Sequence, residues 1–290
     1  MTVRIALATC AAHPDLHEDD FPLVDALRAA GLDPVAEVWT DPSVDWSSYD
    51  GVLLRSVWDY HKRYDEFTGW LDLLDKGGVQ VFNDTDLIRW NADKRYLLDL
   101  RERGVAIVPS QVAAGACLRE VVAGLTGQEI VIKPTVSALA HNTIRGVAGS
   151  PELDQAIDGL PDAVYLVQPF QPEIVTDGEC SLIYLGGTYS HAVVQRPAAG
   201  DYRVQFEHGG SVEPVDPPAA VREAAEAALT AAPTRTTPIY ARVDGILKAG
   251  RFLLMELELI EPYLFLPQHP SATNRLAAVV AERVTAGCRS

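Results

Sequence analysis

The sequence predicts an α/β protein in which a helix-covered parallel sheet precedes a region richer in antiparallel strands. In residues 1–90, strand-length apolar runs alternate with amphipathic segments of helical spacing. Beyond residue 90, β-rich runs are separated by short turn signals. The length of 290 residues suggests about two domains, and the composition, 48% apolar and 22% charged, is typical of a globular chain.

The N-terminal part follows a β-α-β order with short links. Strands are predicted at VRIALAT, PVAEVW, GVLLRSVW and VQVFN. A helix after Asp19 and Asp20 ends at Gly31, and a second one spans residues 64–74, where Gly77 and Gly78 stop it. This order favours a parallel sheet covered by helices.

The rest of the chain mixes helices with hairpins. NADKRYLLDLRERG predicts one continuous helix, and EIVIKP and YLVQPF predict strands. Gly186-Gly187 forms the turn of a hairpin between ECSLIYL and TYSHAVVQRP. The alanine-rich segment AAVREAAEAALTAA is helical, IYARVDGIL and RFLLMELELI form a second hairpin, and a helix follows Ser271.

Composition excludes several classes of function. Forty acidic against 24 basic residues give a net charge of −16, which disfavours nucleic acid as a partner. No apolar stretch reaches the ~18 residues of a membrane span, and the N-terminus resembles a strand more than a signal peptide. The four cysteines form no CxxC pair, which argues against a thiolate metal site or a disulfide framework and favours the reducing cytoplasm.

The strongest local feature is the alternation in RFLLMELELI. Met255, Leu257 and Leu259 share one strand face, and Glu256 and Glu258 share the other. With a three-residue turn at 248–250, Asp244 of the preceding strand joins them, and three carboxylates converge on one spot. Hard oxygen donors of this kind suit Mg²⁺. A two-residue turn would remove Asp244 from that face, and a solvated charged face is the alternative.

Several cations are placed to hold anions. Lys133 ends a β-branched run and sits at the mouth of a sheet, where its ammonium can hold phosphate oxygens; a lysine that extends to water is the alternative. Lys94, on a predicted helix, can hold phosphate oxygens in the same way, and an ordinary surface lysine is the alternative. Arg203, in a predicted loop, can clamp a carboxylate or a phosphoryl group. Arg242 lies two residues from Asp244 and is expected to be its ion-pair partner.

Taken in order, these motifs resemble the ATP-grasp superfamily. The resemblance runs through WNADKRYL, VIKP, the small loop SALAHNTIRG, VQPF, DYRV, ARVDG and MELEL, from about residue 90 to residue 270. The common phosphate-loop signatures GxxxxGK[ST] and GxGxxG are absent. The resemblance implies a pre-ATP-grasp α/β domain over residues 1–90 and two α+β lobes, 91–170 and 171–290, that clamp a nucleotide.

The resemblance also implies roles for individual residues, with ATP and Mg²⁺ as cofactors. Lys94 and Lys133 would contact the phosphates, and Arg203, with Lys133, would stabilise the transferring phosphoryl group. The adenine would lie along Gln168, Pro169 and Phe170, and the metal ligands would be Asp244, Glu256 and Glu258. Glu258 stands where family members often have Asn, which adds a negative charge and puts a two-metal arrangement in doubt.

A finer resemblance concerns the reaction. RSVWDY, RWNADKRYL and ELIEPYLF are similar to stretches of ATP-grasp cyclo-ligases acting on O-ureido-D-serine. That similarity implies antibiotic biosynthesis: an acyl-phosphate attacked within the same molecule by nitrogen, giving D-cycloserine, CO₂ and NH₃. The alternatives are an intermolecular amino-acid or peptide ligase of the same fold and a non-catalytic nucleotide-binding module.

The partner expected in every catalytic case is a small amino-acid-like molecule, and a homo-oligomer stays open. RSVWDY ends a predicted strand, and the carboxyl ends of strands bind ligands in open α/β sheets. The candidate substrate residues there are Arg55, Ser56, Trp58 and Asp59, although a strand end with a core Trp explains the segment equally well. Glu261 and Tyr263, just past the acidic strand, are further candidates.

Overall fold

The N-terminal part is a parallel α/β layer, as predicted. The computed structural model describes residues 2–204 and 209–287. Its first sheet has the order β2-β1-β3-β4, with every pairing parallel: β1 is Val3–Thr9, β2 Leu32–Val38, β3 Gly51–Ser56 and β4 Val81–Phe82. Helices α1 (Phe21–Ala29) and α2 (Tyr64–Lys76) connect these strands. Every residue of β3 is buried, because both faces of such a sheet are covered.

The prediction of a single helix after residue 90 is wrong, because the helix is interrupted there. Helix α3 is Thr85–Asn91 and helix α4 is Tyr96–Glu102. Lys94 lies between them, and its backbone N–H donates to the carbonyl of Thr135 at 2.7 Å. This tertiary hydrogen bond replaces the helical one, so the break is stabilised by a segment about forty residues away in the chain.

The middle of the chain forms a small antiparallel sheet of order β5-β8-β6-β7. The strands are β5 (Gln111–Ala114), β6 (Glu129–Pro134), β7 (Ile144–Val147) and β8 (Val164–Pro169). Helices α5 (Leu118–Ala123) and α6 (Pro151–Asp158) pack against it through a small apolar core. Lys133 and Gln168, near the ends of β6 and β8, are thereby carried on neighbouring strands.

The C-terminal part is a five-stranded antiparallel sheet of order β11-β10-β9-β12-β13. Both predicted hairpins are confirmed: β9 is Glu179–Leu185 and β10 Thr188–Arg196, while β12 is Tyr240–Lys248 and β13 Arg251–Glu258; β11 is Ser211–Val215. Helix α7 (Glu173–Thr176) precedes this sheet, and α8 (Ala219–Thr230) packs against it. Helix α9 (Pro270–Gly287) shares a core with the first sheet, which ties the two ends of the chain together.

Two further findings concern exclusions made from the sequence. Within the described residues, no helix has both the length and the apolar character needed to cross a bilayer. Cys10, Cys117 and Cys180 are free thiols, whereas Cys288 lies outside the described residues.

Candidate active site

The turn of the acidic hairpin is shorter than predicted. Lys248 pairs with Arg251, so the turn has two residues, Ala249 and Gly250, and not three. Both have positive φ, 50° and 76°, which is the backbone that a tight two-residue turn joining twisted strands requires. The predicted register is therefore wrong at the turn.

A β-bulge nevertheless returns Asp244 to the acidic face. Gly245 pairs with Leu254, but Asp244 pairs with Glu256, so Met255 is the extra residue on β13. Without the bulge, Asp244 would lie opposite Met255 and share its face. The predicted common face of Asp244 and Glu256 is thus present, although by a route that the sequence reasoning did not foresee.

Arg242 makes the predicted ion pair with Asp244 and a second pair as well. Its Nε lies 3.0 Å from each carboxylate oxygen of Asp244, and its Nη2 donates to Glu258. Its Nη1 donates to the carbonyl of Tyr263 at 3.1 Å. The guanidinium therefore lies between two of the three predicted metal ligands.

The third carboxylate, Glu256, is paired with both predicted phosphate-binding lysines. Lys94 Nζ lies 2.9 Å from its Oε1, and Lys133 Nζ lies 3.9 Å from its Oε2. Burial raises the pKa of Glu256, but the two ammonium groups outweigh that effect and bring it to about 2. Burial lowers the pKa of Lys133. The lysines and the carboxylate predicted from separate motifs are therefore one charge cluster.

Helices α3 and α4 hold Lys94 against β13. Strand β13 is at the edge of its sheet, and side chains satisfy part of its outer backbone. Asn91 Nδ2 donates to the carbonyl of Leu257 at 2.7 Å, and the Tyr96 hydroxyl accepts the N–H of Leu257 at 2.8 Å. Because these two anchors flank residues 92–95, they place Lys94 beside the acidic strand.

Carboxylates outnumber cations in this part of the cleft, and burial, with repulsion between them, raises the pKa of four of these groups. Burial raises the pKa of Glu179 to about 8, with repulsion from Asp244 adding to it. Burial raises the pKa of Glu261 to about 7 and that of Glu258 well above its usual range. Burial likewise raises the pKa of Asp244, against the opposing effect of Arg242.

The predicted convergence of three carboxylates on one spot is wrong for these side chains. Among residues 2–204 and 209–287, no group of three or more His, Cys, Asp and Glu side chains is spaced to hold a metal ion. The physical reason is that cations separate these carboxylates, since Asp244 and Glu258 pair with Arg242, whereas Glu256 pairs with Lys94 and Lys133. Asp244 and Glu256 still offer hard oxygens from directly opposite positions, which suits Mg²⁺.

The charge cluster opens into a cleft of about 430 Å³ between the small and the large antiparallel sheets. All five predicted nucleotide contacts line this cleft: Lys94, Lys133, Gln168, Pro169 and Phe170. Gln168 is buried and donates to the Ser110 hydroxyl at 2.9 Å. Apolar side chains line the cleft as well, namely Val108, Val131, Ile174, Met255 and Leu257. A cleft lined by apolar side chains and two lysines can hold a flat base with its phosphates.

Arg203 and three of the predicted substrate residues also line the cleft. Arg203 forms an ion pair with Asp201, in which Nη2 lies 2.8 Å from Oδ2. Trp58, Glu261 and Tyr263 line the cleft, and Trp58 Nε1 donates to the carbonyl of Glu261 at 3.1 Å. This contact joins the end of the first sheet to the segment that follows β13.

The other three predicted substrate residues do not line the cleft. Arg55 is buried, with its Nε 2.8 Å from Asp20, and Ser56 donates to the same carboxylate at 3.2 Å. Asp59 accepts a hydrogen bond from Trp39 Nε1 at 2.8 Å. Their polar atoms are thus taken up by hydrogen bonds within the protein, to Asp20 and Trp39.

Sequence reasoning missed several residues that line the cleft, namely His17, Glu18, Tyr60 and Glu179. Glu179 opens the apolar run ECSLIYL, so its position at the start of a strand was the available signal. His17 forms edge-on ring contacts with Trp58 and Tyr263, with centroids 5.0 and 5.6 Å apart. No local pattern connects these residues, because the contacts bring together three distant segments.

Comparisons with known proteins agree with this architecture. Residues 5–83 match the family described as D-cycloserine synthetase DcsG, N-terminal domain. Cycloserine biosynthesis protein DcsG of Streptomyces lavendulae is 29% identical over 295 residues, 97% of this chain and 98% of that protein. Glutathione synthetase of Prochlorococcus marinus (strain MIT 9313) is 27% identical over 66% of this chain and 63% of its own length.

Solved structures extend the similarity to the whole fold. The crystal structure of D-cycloserine synthetase DcsG superposes with a TM-score of 0.86 at 28% identity, over 97% of this chain and 99% of that one. D-alanine–D-alanine ligase of Bacillus anthracis has a TM-score of 0.71 at 17% identity, over 98% of this chain and 97% of that one. Fold, cleft and relatives together identify the chain as an ATP-grasp enzyme of the carbon–nitrogen ligase class, similar along its length to D-cycloserine synthetase.

Proposed function

We propose that this enzyme uses ATP and Mg²⁺ to cyclise O-ureido-D-serine to D-cycloserine. ATP phosphorylates the carboxylate, and the ureido nitrogen bound to oxygen attacks the acyl-phosphate and releases phosphate. Hydrolysis of the carbamoyl group then consumes one water and gives CO₂ and NH₃. The observation that carries the ligase chemistry is the cluster of Lys94, Lys133 and Glu256 in the lining of the cleft. The choice of substrate is supported by the full-length similarity to D-cycloserine synthetase.

The nucleotide would bind between the two antiparallel sheets. The apolar part of the lining, which includes Val131, Met255 and Phe170, suits an adenine ring, and Gln168 supplies a polar group. Lys94 and Lys133 lie beside Glu256 and would hold phosphate oxygens as point charges. Nucleotide phosphates would then compete with Glu256 for these ammonium groups.

Magnesium would be held by Asp244 and Glu256, the pair of like charges placed directly opposite each other. The donors fit a hard divalent cation, which takes carboxylate oxygens and shares phosphate oxygens. When bound, the ion neutralises charge on the phosphates.

The reaction requires positioning and neutralisation of charge. A carboxylate is a poor electrophile, and phosphorylation turns one of its oxygens into a leaving group. Arg242 and Arg203 both line the cleft, and their guanidinium groups would stabilise the transferring phosphoryl group and the oxyanion that follows. The aromatic end of the cleft at Trp58 and Tyr263 would hold the substrate folded, which raises the effective concentration of its nucleophile.

One experiment separates this function from its alternatives. The protein is incubated with ATP, Mg²⁺ and O-ureido-D-serine, with and without a panel of amino acids, and ADP and products are measured. The proposal expects ADP, D-cycloserine and CO₂ in equal amounts with no second amino acid. ADP release that depends on a second amino acid, without ring product, would establish an intermolecular ligase. ATP binding without turnover for any carboxylate would indicate a nucleotide-binding module.

A further inference from the structure

Each nitrogen of the Arg242 guanidinium has an acceptor from the protein. Nε contacts both oxygens of Asp244, Nη1 donates to the carbonyl of Tyr263, and Nη2 donates to Glu258. A guanidinium has five N–H groups, so Nη1 and Nη2 each keep one hydrogen for another acceptor. Since Arg242 lines the cleft, these contacts determine the orientation of its planar guanidinium group there.

The two cross-strand pairs of the acidic hairpin differ in charge. Asp244 faces Glu256, whereas Arg242 faces Glu258. Like charges directly opposite each other destabilise a sheet, and opposite charges stabilise it. Asp244 pairs with Arg242 and Glu256 pairs with two lysines, yet the two carboxylates still face each other, so a divalent cation can bind between them. Glu258 instead faces Arg242 and accepts a hydrogen bond from its Nη2, so its partner across the hairpin is a cation and not a second carboxylate.

We propose that Glu258 is a positioning residue for Arg242 and not a magnesium ligand. This inference rests on the proposed function, because Arg242 acts there on the phosphoryl and acyl oxygens. A carboxylate makes a charge-assisted hydrogen bond with a guanidinium, about twice as strong as a neutral one. An amide at position 258 would offer a neutral acceptor and hold Arg242 less firmly.

The metal part of the proposal is tested by the binding of Mn²⁺ in the presence of a non-hydrolysable ATP analogue, followed by electron paramagnetic resonance. Glu258→Gln is expected to change the Mn²⁺ dissociation constant less than about 3-fold, whereas the matched control Glu256→Gln weakens it about 10- to 100-fold. Glu256 suits this comparison because it pairs with lysines and not with Arg242. Glu258→Asn is measured beside Glu258→Gln, so that one poorly folded variant does not decide the outcome.

The positioning part is tested by kinetics with the carboxylate substrate that the wild-type enzyme turns over. Glu258→Gln should lower kcat about 10- to 100-fold and leave the KM for ATP nearly unchanged. Arg242→Gln should lower kcat about 100-fold or more. The double variant should be no slower than Arg242→Gln alone, because both changes remove one interacting unit.

The outcomes distinguish this inference from the proposed function. If Glu258 substitutions weaken Mn²⁺ binding as much as Glu256→Gln does, Glu258 is a ligand and the inference is overturned. Additive losses of kcat in the double variant would overturn it as well. If the wild-type protein binds no Mn²⁺ with the nucleotide analogue, the proposed function fails, and the inference fails with it.

Discussion

Replacing Arg55 with methionine is expected to lower the free energy of unfolding by about 3–5 kcal/mol, because a buried carboxylate would lose its cation. Arg55 and Asp20 are each 2% exposed, and Arg55 Nε lies 2.8 Å from Asp20 Oδ1. Arg55 Nη2 also donates to the carbonyl of Pro262 at 3.0 Å. Methionine keeps the unbranched stem, but only the neutral hydroxyl of Ser56 would remain on Asp20 among the contacts described above.

The size of this effect follows from burial. The pair Arg28–Asp25 is separated by 3.4 Å, but its side chains are 60% and 85% exposed. Water screens such a pair, so Arg28→Met should change the free energy of unfolding by about 0–1 kcal/mol. The double variant Arg55→Met/Asp20→Leu removes both buried charges and should recover most of the loss.

The assay is urea-induced unfolding followed by circular dichroism on wild type, Arg55→Met, Arg28→Met and the double variant. ATP binding and turnover are measured on the same samples. A loss in Arg55→Met of less than about 1 kcal/mol, together with impaired substrate binding, would refute the structural role. That result would instead support the role of Arg55 in substrate binding that the sequence predicted.

Three further predictions concern the phosphate site, pH and the bulge. Lys133→Ala should weaken ATP binding by calorimetry about 10-fold or more, since it removes a phosphate contact; unchanged affinity would contradict that role. Burial and Asp20 raise the pKa of Asp19 to about 7, so the folded protein holds a proton that the unfolded chain releases above about pH 4. The contribution of Asp19 to the free energy of unfolding therefore falls as pH rises from about 4 to about 7. Asp19→Asn should make the free energy of unfolding, measured with urea, depend less on pH in this range. An unchanged pH dependence would refute the raised pKa of Asp19. Gly245→Ala, beside the bulge, would place a Cβ 2.4 Å from Phe252 Cζ and should cost about 1–3 kcal/mol in the same unfolding assay, whereas wild-type stability would contradict the close packing of Gly245 against Phe252.

The periodic features of the chain were readable from the sequence, because they depend on neighbours a few residues apart. Alternation in RFLLMELELI predicted strand β13 with its acidic face, and Gly186-Gly187 predicted the hairpin between β9 and β10. The ordered motifs around Lys94, Lys133 and Asp244 predicted the ATP-grasp fold that the comparisons support.

Interruptions of that periodicity could not be predicted from the sequence. The helix predicted over Lys94 is interrupted because a distant carbonyl, that of Thr135, takes its N–H. Likewise, nothing local in LLMELE reveals that Met255 is an extra residue, because a bulge is defined by the partner strand.

The sequence by itself indicated the first sheet, both hairpins, most helices and the alternation that gathers carboxylates on one face. Only the tertiary structure decided which cation meets which carboxylate: Arg55 is enclosed with Asp20, while Lys94 and Lys133 reach Glu256. The physical reason is the separation along the chain over which each kind of interaction acts. Backbone geometry repeats over two to four residues and leaves a local pattern, whereas a buried charge is stabilised by whichever opposite charge the folded chain brings within a few ångströms.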